Sequence, residues 1–372
     1  MTTNQSGLDH SELRNIEYDY IEYYVGMAKM VVYWHVKAMG FKVVAYSGPE
    51  TGTPDRCSYY IVKNNIKLVI TSASQPSSYK IVSFVDLHGN GIKKIAISVN
   101  NVKEYFKRAL ENGAIPSQHP TTTSDENGSV EEASFKLFDD NEIVLISYGN
   151  YKGAFKPGYT TDVQKDWLQN EEDSELEKVD HIACALRFNE IQLWENYLNS
   201  ILGLTTVGKF DERQQPGKKK IGMLLKVLQS ENKQINNVLV EPDNGVKSQV
   251  QLFIDQNYGA GIQHVAFASK NIFKSVQNLK ANGVKFTKYP DSYYEKLALK
   301  YPDIDVELLQ KNGVLCDVLD KALLLQVFTS PLGDRATFFY EIVQRVNEYE
   351  GFGLDNIRAL FDSLETELVE GK

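Results

Sequence analysis

The sequence predicts an α+β fold made by duplication. Each of two tandem halves is a strand and a helix followed by several strands, twice over, and a helix closes the chain. Three observations carry this reading. Residues 89–113 and 259–283 match in one ungapped register, offset by 170: Gly89, Gly91, Ile92, Ala96, Asn101, Asn112 and Gly113 recur as Gly259, Gly261, Ile262, Ala266, Asn271, Asn282 and Gly283. Self-similarity at a fixed spacing is the signature of a repeated unit. Within each copy a Gly-x-Gly turn opens a β-rich run (92–99 and 262–268). An Asn then stands where a helix cap belongs, before an amphipathic stretch that ends at Gly. A weaker pair lies upstream, at 20–40 and 180–203, each a strand followed by a helix that ends at Gly.

The 372 residues are enough for two domains. The expected division is an N-terminal unit over 1–165 and a C-terminal unit over 178–372. Residues 155–179 contain Pro and Gly and then turn heavily acidic, so they read as a linker. Residues 118–132 read as a polar loop. Residues 356–368 place Ile357, Leu360, Phe361, Leu364 and Leu368 at helical spacing, which predicts a C-terminal helix on the second half.

Composition narrows the function classes. Hydrophobic residues make up 42% and charged residues 24%, which suits a packed core. The net charge is −9, and Lys218-Lys219-Lys220 is the one basic run, so nucleic acid is not an expected partner. No apolar run is long enough to span a membrane. The polar, acidic start resembles no targeting segment. The three cysteines, Cys57, Cys184 and Cys316, are far apart and form no metal pair or disulfide framework. A soluble cytoplasmic protein is expected.

Of six histidines, His10, His88 and His119 sit in polar turn or tail contexts and read as surface residues. His35 lies on the first amphipathic helix and reads as a packing or surface residue. His181 and His264 lie in apolar strands. The repeat aligns His264 with Lys94, and a gapped alignment sets His181 near Ile21, so both histidines belong to the second copy alone. Glu341, in Phe338-Phe339-Tyr340-Glu341-Ile342-Val343, is a lone carboxylate in an apolar strand, costly to bury unless paired or metal-bound. Two imidazoles and a carboxylate make the facial set of non-haem Fe(II), with open positions for substrate and O₂. The same residues also read as two core histidines and an edge-strand glutamate.

The second half resembles the 4-hydroxyphenylpyruvate dioxygenase family, which includes hydroxymandelate synthases. The resemblance rests on Asp180-His181-Ile182, on 259–266 (GAGIQHVA), 324–329 (LLQVFT) and 338–345 (FFYEIVQR), and on Gly351-Phe352-Gly353. It continues through the first half at 24–28 and 45–52 and covers nearly the whole chain. It implies two tandem vicinal-oxygen-chelate modules built of βαβββ units, the second holding Fe(II) on His181, His264 and Glu341. It further implies oxidative decarboxylation of a 2-oxo acid with O₂ as co-substrate, without a separate 2-oxoglutarate, and a homo-oligomer, dimer or tetramer.

The family's pocket glutamines match Gln249, Gln263 and Gln326, and its aromatics match Phe339 and Phe352. On a regular strand Gln263 would point to the face opposite its neighbour His264, so a direct contact from it needs either a local irregularity or a route from behind the ligands. Three positions depart. The family's serine aligns with Leu225, its asparagine before Glu-Pro with Val240, and the aromatic of its Gly-Asn-Phe motif with Ile357. Hydroxymandelate synthases resemble this chain in the Asn-Ile pair and in an aliphatic residue before Glu-Pro-Asp. The expected outcome is benzylic hydroxylation to a mandelate-type product. The alternatives are homogentisate formation, or a less polar 2-oxo acid. The C-terminal helix is expected to gate the pocket.

Overall fold

In the computed structural model, residues 15–163, 174–211, 222–243, 248–353 and Asn356 are described. They form two eight-stranded mixed sheets with one topology. The first contains β1 (Glu17–Tyr24), β2 (Lys42–Ser47), β3 (Arg56–Lys63), β4 (Ile66–Ala73), β5 (Gly91–Ser98), β6 (Pro116–Asp125), β7 (Gly128–Leu137) and β8 (Asn141–Ser147). The second contains β9 (Leu176–Ala185), β10 (Thr205–Asp211), β11 (Met223–Gln229), β12 (Asn236–Pro242), β13 (Gly261–Ser269), β14 (Leu315–Leu319), β15 (Ala322–Phe328) and β16 (Phe339–Val346). The strand orders, β2-β3-β4-β1-β5-β8-β7-β6 and β10-β11-β12-β9-β13-β16-β15-β14, are the same list displaced by eight. The directions repeat as well: β1 runs parallel to β4 and antiparallel to β5, and β9 does the same with β12 and β13.

Each sheet is therefore two βαβββ units joined at their first strands. The helices after those strands are α1 (Ala28–Trp34), α3 (Val102–Glu111), α4 (Ile191–Leu202) and α6 (Ile272–Ala281), while α2 (Tyr79–His88) and α5 (Gln249–Asn257) link the units. The repeated asparagines act as the sequence implies. Asn101 accepts from the Glu104 amide and Asn271 from the Lys274 amide, each satisfying an otherwise unpaired helix-start donor. Gly113 and Gly283 follow the same helices at φ 86° and 89°, a conformation that favours glycine. The second half alone inserts α7 (Asp291–Lys300) and α8 (Val306–Asn312) before its last three strands.

One face of each sheet enters a shared core that includes Val32, Met39, Phe41, Ile95, Phe135, Leu198, Val265, Phe267 and Tyr340. Burial of this continuous apolar surface joins the halves. At the seam, Tyr340 of β16 turns its hydroxyl to Tyr23 (2.9 Å) and to His35 Nε2 (2.8 Å), and His35 Nδ1 lies 2.8 Å from the Val31 carbonyl. The carbonyl fixes Nδ1 as the protonated nitrogen, so Nε2 accepts from Tyr340. Burial holds His35 down at a pKa of about 4, as a neutral packing residue.

Three local expectations are corrected. Residues 118–132 are not a loop but most of the β6–β7 hairpin; the exposed Thr-rich run is polar yet β-branched, which suits an edge strand. His88 is buried, not exposed: Nδ1 meets the Asn257 carbonyl (2.6 Å) and Nε2 meets Asp140 (3.1 Å). Its polar partners are distant in sequence, Asp140 in the same half and Asn257 in the other, which a local reading does not see. The 155–179 segment is structured at both ends. Phe155 stacks on Tyr60 at 4.0 Å, and Leu176 already belongs to β9. Ile357 and the rest of the 357–372 stretch lie outside the described residues, as does His10.

Candidate metal centre

The other face of each sheet is private to its half. In the second sheet it carries His181, His264 and Glu341 on three adjacent strands, β9, β13 and β16. Register places His181 opposite Ala266, Ala266 opposite Glu341, and His264 opposite Phe339. Strand alternation then turns all three side chains to one side. Their ligand atoms lie within 4.8 Å of one another. His181 Nε2 and His264 Nε2 stand 3.1 and 3.2 Å from the same oxygen, Glu341 Oε2. All three side chains are buried, Glu341 to 1% exposure. A carboxylate this deep needs a permanent positive partner, and two convergent imidazoles with one carboxylate are a donor set that suits a first-row divalent metal. The residues present fit such an ion.

Two strand irregularities orient the imidazoles. The β9–β13 register skips a residue between Ala266 and Phe267, which leaves Asp180 unpaired, and again between Ile262 and His264, which leaves Gln263 unpaired. Each extra residue breaks the alternation beside a histidine. Asp180 Oδ1 thereby reaches His181 Nδ1 at 2.9 Å, and Gln263 Oε1 reaches His264 Nδ1 at 3.3 Å. Both contacts favour a proton on Nδ1 and leave Nε2 facing Glu341. The irregularity that a Gln263 contact requires is thus present.

Asp180 is itself clamped. Arg345 donates from Nε and Nη2 to its two oxygens, 2.8 Å each, and from Nη1 to the Tyr349 and Gly351 carbonyls at 3.1 and 2.6 Å. The guanidinium lies 4.9 Å from the Phe352 ring centre, and Phe352 meets the His181 ring edge-on at 5.9 Å. On the other flank, Gln326 Nε2 donates to Glu341 Oε1 (2.8 Å), which leaves Oε2 to the histidines. Asn356 lies 2.9 Å from Gln326 and from the Tyr293 hydroxyl.

The electrostatics of the ion-free cluster follow from these contacts. Burial opposes charge on His181, but the Glu341 and Asp180 carboxylates outweigh it and raise the imidazolium pKa to about 9. Burial likewise opposes ionisation of Glu341, and the two imidazoles overcome it, lowering the carboxyl to about 2. His264 is shifted down, chiefly by burial.

The other expected residues surround this cluster. Leu225 and Val240 are buried cross-strand partners on β11 and β12, in an apolar patch with Ala183, Ala185, Val227, Val238 and Phe253, against which Phe352 packs. Phe339 stacks on the His264 ring at 4.9 Å and 24°. Gln249 is brought less close: it is the half-buried first residue of α5, beside Val250 of the apolar patch. The sequence reading assigned no role to Asp180, Arg345, Asn356 or Phe328. Phe328 lies opposite Glu341 in the ladder, 5.9 Å from the His264 ring. Asp180, Phe328 and Arg345 stand within the quoted motifs, so their positions were available although their partners were not.

The first sheet shows what the same face does without these groups. Lys94, the counterpart of His264, pairs with Glu22 at 2.8 Å. Because Glu22 faces Lys94 as Ala183 faces His264, the counterpart of His181 is Tyr20, one residue from the position the gapped alignment gave. Tyr20 packs edge-on against Phe155, which fills that face.

Fold and site together define a metal-binding protein of two tandem modules, and comparison with known proteins agrees. Residues 178–299 match the Glyoxalase/Bleomycin resistance protein/Dioxygenase superfamily. The chain is 34% identical to a 4-hydroxyphenylpyruvate dioxygenase of Aspergillus fumigatus, over 94% of this chain and 92% of that one. It is 32% identical to one of Xenopus tropicalis, over 97% and 93%. A variant of 4-hydroxymandelate synthase from Streptomyces coelicolor superposes with a TM-score of 0.81 at 27% identity, covering 95% of this chain and 98% of that one. The chain belongs to the 4-hydroxyphenylpyruvate dioxygenase family. It is an enzyme of the dioxygenase type, which implies a metal cofactor and O₂. Among the described residues, no helix is long and apolar enough to cross a membrane.

Proposed function

We propose that this enzyme uses Fe(II), held by His181, His264 and Glu341, to convert an arylpyruvate and O₂ into a mandelate-type 2-hydroxy acid and CO₂. The observation that carries this reading is the buried aliphatic pair Leu225–Val240, set opposite Ala185 on the sheet face that also carries His181, where the family has serine and asparagine. Fe(II) would supply the redox chemistry of O₂ cleavage and oxidative decarboxylation. The atoms balance without a further reductant: one oxygen enters the new carboxylate, the other becomes the benzylic hydroxyl, and the substrate's own 2-oxo acid gives up CO₂.

The chain's residues do the positioning. Asp180 and Gln263 hold the two imidazoles with Nε2 forward, and Gln326 holds Glu341 with Oε2 forward. Phe339 and Phe352, with Leu225 and Val240, wall the site against water, and Gln249 borders it. An aliphatic wall makes no hydrogen bond to a ring hydroxyl, so the ring is free to tilt and bring its benzylic carbon nearest the oxidant. Ile357, from its sequence position, would enlarge that freedom. In this reading 1–165 is the unit without metal and 178–372 the catalytic unit, with the C-terminal helix as its gate. We further read the enzyme as a cytoplasmic homo-oligomer, dimer or tetramer, acting on a small 2-oxo acid without nucleic acid or membrane.

Homogentisate formation is the second reading, favoured by Gln263 and Gln326, both buried against a proposed ligand. The deciding experiment is anaerobic loading with Fe(II), then incubation with O₂ and either 4-hydroxyphenylpyruvate or phenylpyruvate, with products identified by mass and retention. A mandelate-type product supports the proposal, and homogentisate replaces it with the second reading.

A further inference from the structure

Beside the Tyr23–His35–Tyr340 contact the two halves do not close on each other, and a cavity of about 600 Å³ opens at the seam. Its buried floor is Tyr23 and Phe338, whose rings meet edge-on at 5.5 Å. Met27, Met30 and Trp34, at the start and along α1, line it from the first half, and Lys285, Ser330 and Leu332 from the second. Met27 and Met30 are 67% and 59% exposed. Small-molecule sites are typically apolar hollows of about 300–1,000 Å³ at domain junctions, with a few polar groups, and this cavity has that make-up.

The duplication shows that the fold does not require the gap. The other seam has the same frame: the Lys136 amide donates to the Ile115 carbonyl (2.8 Å) as the Ser330 amide does to the Lys285 carbonyl (3.0 Å). There the chain closes. Two residues past Lys136, Phe138 packs on Trp194 of α4 at 4.8 Å, and the Tyr197 hydroxyl of the same helix donates to the Lys136 carbonyl (2.9 Å). Two residues past Ser330 stands Leu332, 37% exposed, in a 329–338 connection that replaces the short 138–140 turn, and α1 is left uncovered.

The lining defines what would fill the space. Among the described residues that form it, none is acidic and Lys285 is the one charged group. Lys285 makes no ion pair or side-chain hydrogen bond with a described residue. Asn90, also in the lining, spends only its oxygen, on the Gly26 amide (2.8 Å), so its NH₂ is available beside the Ser330 hydroxyl and the ammonium. In a chain of net charge −9, a lone cation on an apolar hollow selects for an anionic head. Three rings and two thioethers favour an aromatic body. We propose that this seam cavity is a second ligand site, apart from the metal centre, for an aromatic monocarboxylate whose carboxylate pairs with Lys285. Phe338 immediately precedes β16, so an occupant bears on the back of the strand that carries Glu341.

The test is calorimetric titration of the Fe(II)-loaded protein, kept anaerobic, with 2-naphthylacetate, which has no 2-oxo group to chelate the metal. The native protein is expected to bind it about tenfold more tightly than the neutral 2-naphthylacetamide, the difference between a charge-assisted and an ordinary hydrogen bond. Lys285→Gln should bring the two to within about twofold. Met30→Trp, which fills the cavity from its exposed rim, should weaken both by about tenfold or more, with iron content, Tm and sedimentation mass unchanged. His264→Ala, at the metal centre, should leave the affinity as it was. No binding, equal affinity for acid and amide, or affinity unmoved by Met30→Trp overturns the proposal. So does loss of binding in His264→Ala, which seats the acid at the metal, or a changed sedimentation mass in Met30→Trp, which makes a second copy of the chain the occupant. Decanoate bound as tightly as 2-naphthylacetate overturns the aromatic class.

Discussion

Asp180→Asn isolates the clamp behind His181. The native carboxylate accepts from His181 Nδ1 at 2.9 Å and from Arg345 twice at 2.8 Å. Asn is nearly the same size, but it offers one acceptor oxygen for these three donors and carries no charge. It cannot both hold the imidazole and receive the guanidinium fork. Loss of an outer hydrogen-bond partner of a metal-binding histidine typically costs 10–100-fold in affinity, about 1.4–2.7 kcal/mol. Stability falls too. Removing one member of a fully buried pair costs about 3–5 kcal/mol, but the Arg345 side chain is 24% exposed and keeps the Tyr349 and Gly351 carbonyls. A loss of about 1–2 kcal/mol, a few degrees in Tm, is therefore expected. Fe(II) affinity measured by chelator competition, alongside thermal unfolding of the ion-free protein, separates the two effects. A variant with lowered Tm and native Fe(II) affinity would refute the orienting role and leave Asp180 a purely structural residue.

Metal loading should release protons. With His181 raised to about 9 and Glu341 lowered to about 2, the ion-free cluster at pH 7 carries its proton on His181, which must lose it to bind; calorimetry in buffers of different ionisation enthalpy should report about one proton, and affinity should fall about tenfold per pH unit below about 9. Gly353→Ala should damage the carboxylate side of the site. At φ 66° a side chain is strained by about 1–2 kcal/mol, and its Cβ would clash with Gln326 Oε1, so Gln326 must shift away from Glu341; kcat/KM should fall while the fold persists by circular dichroism. Leu225→Ser with Val240→Asn should raise the homogentisate share of the product. Because the two are direct cross-strand partners, the double variant should shift that share by more than the single variants combined, as product chromatography would show.

Much of the architecture was legible because it is written twice. The 170-residue offset placed both capped helices correctly, and the contrast of His264 with Lys94 pointed to the half in which His181, His264 and Glu341 converge before any geometry was known. What stayed hidden depends on partners distant in sequence or on single-residue irregularities. Asp180 meets Arg345 across 165 residues. The unpaired Asp180 and Gln263 have no periodic signature, since a bulge is invisible until the facing strand is known. The β6–β7 hairpin was misread because its polarity, which marks an exposed edge, resembles that of a loop. Ile357 and the C-terminal helix rest on the sequence alone.

Strand β16 carries Glu341 toward the metal cluster and, one residue earlier, Tyr340 toward Tyr23 and His35 of the first half. The half that has no histidine cluster therefore grips, from behind, the strand that supplies the carboxylate. Duplicated proteins invite treatment as exchangeable parts, with one copy traded for a homologue's or trimmed away. Here such an exchange succeeds only when the incoming copy brings its own phenol and imidazole to Tyr340. Otherwise the graft leaves a polar residue stranded at the back of the metal centre, and a defect introduced at the junction would be read out as lost chemistry.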